Sequence, residues 1–219
     1  MSKNTASHKV YGPYEKFVKR PLDFILAFLS VIVFSPLLIV LTVVGAAAMR
    51  GNPFFTQKRP GRIGKDGKVK IFRLIKFRTM SNKKDKDGNL RPDSERLNKY
   101  GKFCRAASLD ELPELINILK GDMAVVGPRP LLVQYLDRYS EHQARRHEVR
   151  PGLTGLAQIH GRNAITWEEK FNWDVKYVDS ITFKGDFKIV LDTVKTVFKR
   201  SGISGGNTET MTEFMGSGK

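Results

Sequence analysis

Residues Phe24–Met49, FILAFLSVIVFSPLLIVLTVVGAAAM, form an uncharged run with Ser35-Pro36 near its centre. As one helix at ~1.5 Å per residue the run would reach ~39 Å, more than a hydrocarbon core of ~30 Å. Pro36 lacks the N–H that the helix ladder needs and its ring clashes with the preceding turn, so a kink or break is expected there. Lys16, Lys19 and Arg20 precede the run, and Arg50, Lys58, Arg59 and Arg62 follow it. Cationic flanks prefer the cytoplasmic face, and here both flanks are cationic. A re-entrant helix hairpin over residues 16–50, kinked at Ser35 and Pro36, meets both conditions with arms of ~18–21 Å. An ordinary single span and a buried core helix are the alternatives. A cleaved signal peptide is disfavoured, because the run starts late and exceeds the ~7–15 residues of a signal core.

Outside this run the chain is polar and basic. Its 219 residues carry 38 Lys+Arg against 22 Asp+Glu, a net charge of +16. Less the membrane segment and a tail, roughly 150 residues remain for one globular domain. So large a basic excess implies an anionic partner: lipid headgroups, phosphorylated substrates or nucleic acid. The apolar run favours lipid and phosphate, and the aromatic residues form no regular aromatic-basic platform for single strands. Cys104 is the only cysteine, so no internal disulfide forms and a reducing, cytosolic setting fits. The four histidines include no pair at zinc-binding helical spacing.

The remaining pattern predicts a helix-rich α+β fold with a small sheet. Residues 1–15 form an N-terminal segment with little pattern. Phe54-Phe55-Thr56 reads as a short strand, Pro60–Lys68 as a turn, and Lys68–Met80 as a strand with Val69, Ile71, Ile75 and Phe77 on one face. Ser81–Asp93 is a charged loop. Ser108–Lys120 reads as a helix closed by Gly121, Met123–Val126 as a strand, and Leu131–Val149 as a charged helix. Thr166-Trp167-Glu168-Glu169 has capping-box spacing and opens another helix. Lys184–Arg200 places Phe187, Val190, Leu191, Val194, Val197 and Phe198 on one face, which suits an interfacial helix and a core-packed one equally. Residues 201–219 read as a flexible tail.

Ser108-Leu109-Asp110-Glu111-Leu112-Pro113 is the densest candidate for chemistry. Its structural reading makes Ser108 the helix cap, with Glu111 closing a capping box and Asp110 complementing the helix dipole. Its functional reading uses the same placement: a carboxylate held ionised at a helix start is a ready nucleophile or Mg2+ ligand. Gly127-Pro128-Arg129-Pro130 confines an arginine between prolines, suited to gripping phosphate. Arg150-Pro151-Gly152 with Thr154-Gly155 is a second such site, whose glycines would let backbone amides approach an anion.

In order along the chain stand the Ser-Pro membrane segment, Phe77-Arg78-Thr79-Met80, Ser108–Pro113, Gly121-Asp122-Met123, Gly127–Leu132 and Arg150–Gly155. Together they resemble the bacterial sugar transferase family, the monotopic phosphoglycosyl transferases. The resemblance covers about residues 14–203, and the compact length, with no added N-terminal spans, is similar to the small PglC-type members. It implies that residues 51–200 are a cytosolic catalytic domain facing the cytoplasm from the bacterial inner (cytoplasmic) membrane. It implies a transfer of sugar-1-phosphate from a UDP-sugar to undecaprenyl phosphate, with release of UMP, opening glycoconjugate assembly. Asp110 and Glu111 fall on the family's catalytic dyad. Asp110 would attack the sugar-proximal phosphorus and carry the phosphosugar, with Mg2+ bridging Asp110 and the diphosphate. Glu111 would support the nucleophile or the acceptor.

Arg105, Arg129 and Arg150 are the candidate phosphate contacts. Lys76, Arg78, Gln158, Arg162 and Asn163 complete the expected substrate-binding set. His160 stands where the family usually has asparagine, and Arg78 where the small members often carry lysine, which leaves the sugar open. Anionic lipid headgroups and a possible homodimer are the other implied partners. Two rivals make different predictions: a non-catalytic membrane-bound basic module is indifferent to Asp110→Asn, and a nucleic-acid binder is strongly salt-sensitive on any duplex.

Overall fold

The computed structural model describes residues 9–161, 165–199 and 213–216. One turn of π-type helix, Tyr14–Val18, runs directly into α1 (Lys19–Met49). This is the one helix among the described residues long and apolar enough to cross a membrane, by length and composition. Pro36 lies inside α1, and Ser35 Oγ donates to the Ile32 carbonyl at 2.8 Å. The expected interruption at Ser35-Pro36 does not divide the segment into two helices; the helical backbone continues through it.

Strand β1 (Phe54–Ile63) pairs antiparallel with β2 (Val69–Phe77), in a register that sets Phe54 opposite Phe77. The hairpin is longer than expected, since Pro60 and its neighbours extend β1 across a register shift. The expected inner face of β2 is corrected. Phe77 is buried as expected, but Phe72 and Leu74 are buried as well while Ile71 is 44% exposed. Phe72 and Leu74 pack with Ala27, Leu115 and Ile118, and the fully buried Asn117 amide accepts from Ile75 N and donates to Arg73 O along the strand edge.

Short helices α2 (Asp93–Arg96) and α3 (Lys99–Ala106) precede a 3-10 turn at Leu109–Glu111 and then α4 (Glu114–Lys120). Gly121 ends α4 in the left-handed conformation at φ 88°, as expected of a C-cap glycine. Strand β3 (Ala124–Val126) pairs parallel with β4 (Gly152–Thr154). The single helix expected over Leu131–Val149 is corrected to a 3-10 stretch, Val133–Arg138, then α5 (Glu141–Ala144) and a 3-10 turn, Arg145–His147. Ser140 restarts the chain there with a capping box to Gln143. After α6 (Leu156–Ile159) come α7 (Trp167–Val178) and α8 (Phe183–Lys199), and Thr166 with Glu169 forms the predicted capping box.

The glycines of the Arg150–Gly155 motif serve packing. A Cβ on Gly152 would stand 2.1 Å from Gly127 N, so β3 and β4 approach at backbone distance. Both halves of α1 pack on the globular part. Ala27 joins Phe72, Leu74 and Ile118, and Leu41 joins Phe77 and Cys104. A polar latch adds to this: Lys19 Nζ lies 2.7 Å from Asp186 Oδ2, Tyr177 donates to Asp186 Oδ1, and Val125 N donates to Asp23. The face expected on α8 is split. Val190 is half-buried against the cluster of Tyr177, Val178 and Ile189, while Phe187, Leu191 and Val194 stay exposed. Within the expected tail, Phe214 is packed on the domain, 3% exposed among Tyr135, Tyr139, Trp167 and Phe171.

Candidate active site

The stretch carrying Asp110 departs from the expected helix start. Ser108 adopts the left-handed region at φ 54° and makes no side-chain cap, a costly conformation for a residue with a Cβ. A 3-10 turn follows, and Pro113 sits at the N-cap of α4. The capping box is therefore absent, and Glu111 is turned to other partners. Lys76 Nζ, from β2, donates to Glu111 Oε1 at 2.7 Å, and Arg129 pairs with the same oxygen from the Gly127–Pro130 loop.

These two cations decide the state of Glu111. Desolvation opposes its charge, but Arg129 and Lys76 together hold it well below the usual carboxylate range. Lys76 also lies 3.1 Å from Glu114, which is 2% exposed. Burial, reinforced by the Glu111 charge, pushes Glu114 up to about 7. Asp110 has neither hydrogen bond nor ion pair among the described residues. Burial first, then the Glu111 charge, raises its carboxyl above the ordinary range, against the pull of Lys76, Arg129 and Arg105. The adjacent carboxylates thus differ in kind: Glu111 is committed to two cations and Asp110 is uncommitted.

Asp110 and Glu111 line a cavity of about 960 Å³, together with Lys76, Arg78, Arg105 and Arg129. Arg105 is steadied by Nε donating to Thr79 Oγ1 at 3.1 Å. Gln158 lines the same cavity, and both polar atoms of its amide are shielded from solvent without a protein partner among the described residues. An amide so placed is satisfied by a ligand offering a donor and an acceptor. Seven of the expected residues are therefore brought together. Arg150 is not among them. Its Nε donates to Gly121 O at 2.9 Å, and it lines a different cleft. Arg162 and Asn163 lie outside the described residues. His160 is exposed and stacks on Trp173 with ring centroids 3.8 Å apart.

Further lining residues carry no local sequence signal. Arg59 presents a shielded, unpartnered Nε, and burial lowers the pKa of Lys170 to about 8. Behind them Arg146 and Asp174 form a buried pair at 2.8 Å, and Arg146 Nη2 donates to the Arg129 carbonyl at 2.6 Å. That bond fixes the backbone from which Arg129 reaches Glu111. No group of three or more His, Cys, Asp or Glu side chains able to hold a metal occurs among the described residues. Of the carboxylates that line the cavity, Asp110 alone is uncommitted among the described residues, which suits a Mg2+ ion taking most of its ligands from substrate phosphates and water.

The family described as "Bacterial sugar transferase" matches residues 14–200. A Bacillus subtilis (strain 168) protein named uncharacterized sugar transferase EpsL is 51% identical over 185 residues, covering 84% of this chain and 89% of its own length. A UDP-glucose:undecaprenyl-phosphate glucose-1-phosphate transferase of Caulobacter vibrioides is 36% identical over 82% of this chain and 69% of its own. An undecaprenyl-phosphate galactose phosphotransferase of Salmonella typhimurium is 34% identical over 85% of this chain, which spans only 42% of that relative.

Proposed function

The chain belongs to the bacterial sugar transferase family, and on that footing we propose that it moves a sugar-1-phosphate from a UDP-sugar to undecaprenyl phosphate. The relatives named above as undecaprenyl-phosphate transferases support this substrate class. The observation that carries the mechanism is the uncommitted Asp110 beside the committed Glu111. An Asp110 carboxylate oxygen attacks the sugar-proximal phosphorus, and the bond from that phosphorus to the bridging oxygen breaks. UMP leaves with the electron pair. A phosphate oxygen of the lipid then attacks the same phosphorus and the aspartyl–phosphorus bond breaks, which restores the carboxylate and yields a lipid diphosphosugar.

Glu111 is not the proton acceptor in this scheme, because Lys76 and Arg129 keep it ionised and weakly basic. It anchors those cations where the diphosphate charge collects, so Lys76, Arg129 and Arg105 stabilise the leaving UMP. The Gln158 amide meets polar groups of the donor. Mg2+, held by Asp110 and the diphosphate, would offset the repulsion between an anionic nucleophile and an anionic substrate.

The lipid acceptor explains the apolar surface. Withdrawing a polyprenol from the bilayer costs about 0.8 kcal/mol per CH₂, so the reacting carboxylate belongs at the membrane face. Both halves of α1 pack on the same domain: Arg20 donates to Ile118 O and Leu119 O, while Tyr100 donates to Leu41 O and Asn98 to Ala48 O. An element tied at both ends to one domain suits re-entry on one face, with the domain in the cytoplasm and the exposed side chains of α8 resting on the interface. The test is UMP release from a panel of UDP-sugars with undecaprenyl phosphate and Mg2+. Wild type should release UMP and, without acceptor, gain the mass of one phosphosugar on Asp110. Asp110→Asn should lose both, by about 10³-fold or more in rate. UMP release that survives Asp110→Asn would sink the scheme.

A further inference from the structure

A second cleft, of about 660 Å³, opens between the β1–β2 turn and the C-terminal end of α4. Five cations line it: Arg62, Lys65, Lys70, Lys120 and Arg150. Two carboxylates also line it, and both are engaged. Asp122 accepts from Asn117 Nδ2 at 3.3 Å, and Glu148 accepts from Arg145 Nε at 3.3 Å. Arg62, Lys65, Lys70 and Lys120 have no ion pair among the described residues, and Arg150 is held through Nε alone. The negative end of α4 accounts for Lys120 and Arg150 but does not reach the hairpin cations. Burial first, then Arg20 and Arg62 close by, lowers the pKa of Arg150 against the pull of Asp23.

The position of the cleft narrows what would fill it. Gly121 lines it, and the Arg20 guanidinium stands directly behind: a Cβ on Gly121 would lie 3.2 Å from Arg20 Nη2. Arg20 belongs to the first turns of α1, just before the apolar run begins. A site at that level sits where headgroup phosphates are found. We propose that this cleft binds a phosphate group, supplied by the headgroup of an anionic phospholipid, at a place separate from the Asp110 cavity. The site is independent of the reaction assigned to Asp110. It gives Arg150 a role outside the sugar-transfer cavity, and the bound headgroup would brace the hairpin against the start of α1.

The full chain in neutral detergent would be titrated calorimetrically with short-chain phosphatidylglycerol, short-chain phosphatidylcholine and inorganic pyrophosphate. The expected result is saturable binding of one phosphatidylglycerol per chain, at least tenfold tighter than phosphatidylcholine. Replacing Lys65, Lys70 and Lys120 together by glutamine should weaken it by about 100-fold, while UMP release and melting temperature hold. Pyrophosphate that binds equally well and competes would keep the phosphate site but overturn its lipid source. No saturable binding of either anion, or equal binding by wild type and the triple variant, would overturn the site itself.

Discussion

Asp110 carries a raised pKa and Glu111 a depressed one, and each shift has a measurable consequence. Burial, then Glu111, raises Asp110 above its ordinary 3.8. A group with a raised folded pKa lends its full stability below the unfolded value and loses it as pH rises through the folded one. Ionised Asp110 is therefore a cost at neutral pH, and Asp110→Asn should melt higher than wild type, by about 2–4 °C per kcal/mol relieved. A scan at pH 7.5 showing a lower melting temperature would contradict this. The nucleophile must be ionised, so kcat/KM should fall on the acid side through the raised Asp110 pKa. Glu111→Gln removes a like charge, so that acid limb should move to lower pH even as the rate drops; a pH–rate profile decides. The motif around Asp110 was legible in the sequence, but the division of labour was not. It depends on Lys76 and Arg129, which reach Glu111 from 35 and 18 residues away.

Among the elements, several set by local chemistry matched expectation, although the equally local Ser108–Glu111 capping box did not form. The Thr166 capping box, the Gly121 cap and the hairpin around Gly64–Lys68 are specified by residues within one turn of each other. Those set by distant partners did not. The buried face of β2 is the one that packs with Ala27 and Ile118, and in the stretch after Pro130, which breaks into short turns, Tyr135 and Tyr139 pack on Phe171 and Phe214. The same aromatic cluster supports the site. Phe214 packs on Tyr139 and Phe171, Arg146 lies over both of those rings, and Arg146 also holds the Arg129 carbonyl. Phe214→Ala should cost about 3–5 kcal/mol of stability, read by chemical denaturation. It should also lower kcat, where Phe214→Leu restores most of both. An unchanged denaturation midpoint would show that Phe214 does not close the cluster.

For the whole molecule, the basic excess and the apolar run pointed to an anionic partner met at a bilayer, and only the ordered motifs implied an enzyme. What they left open was how the run is held, since that depends on contacts at both ends. With α1 tied at Arg20 and at Ala48, cysteines introduced at Gly12 and Asp66 should react with an impermeant thiol reagent from the same side of sealed vesicles. Reaction from opposite sides would establish a span. Pro36→Leu should stiffen the helix and shift part of the population toward opposite-side labelling. The aromatic cluster bears on how the chain is made. Synthesis proceeds from the amino end, so α1 leaves the ribosome and meets lipid first, while Tyr135, Tyr139 and Phe171 wait for Phe214 to arrive. A nascent chain already seated on the membrane would thus hold its arginines loosely until that last ring is delivered, so attachment comes before competence.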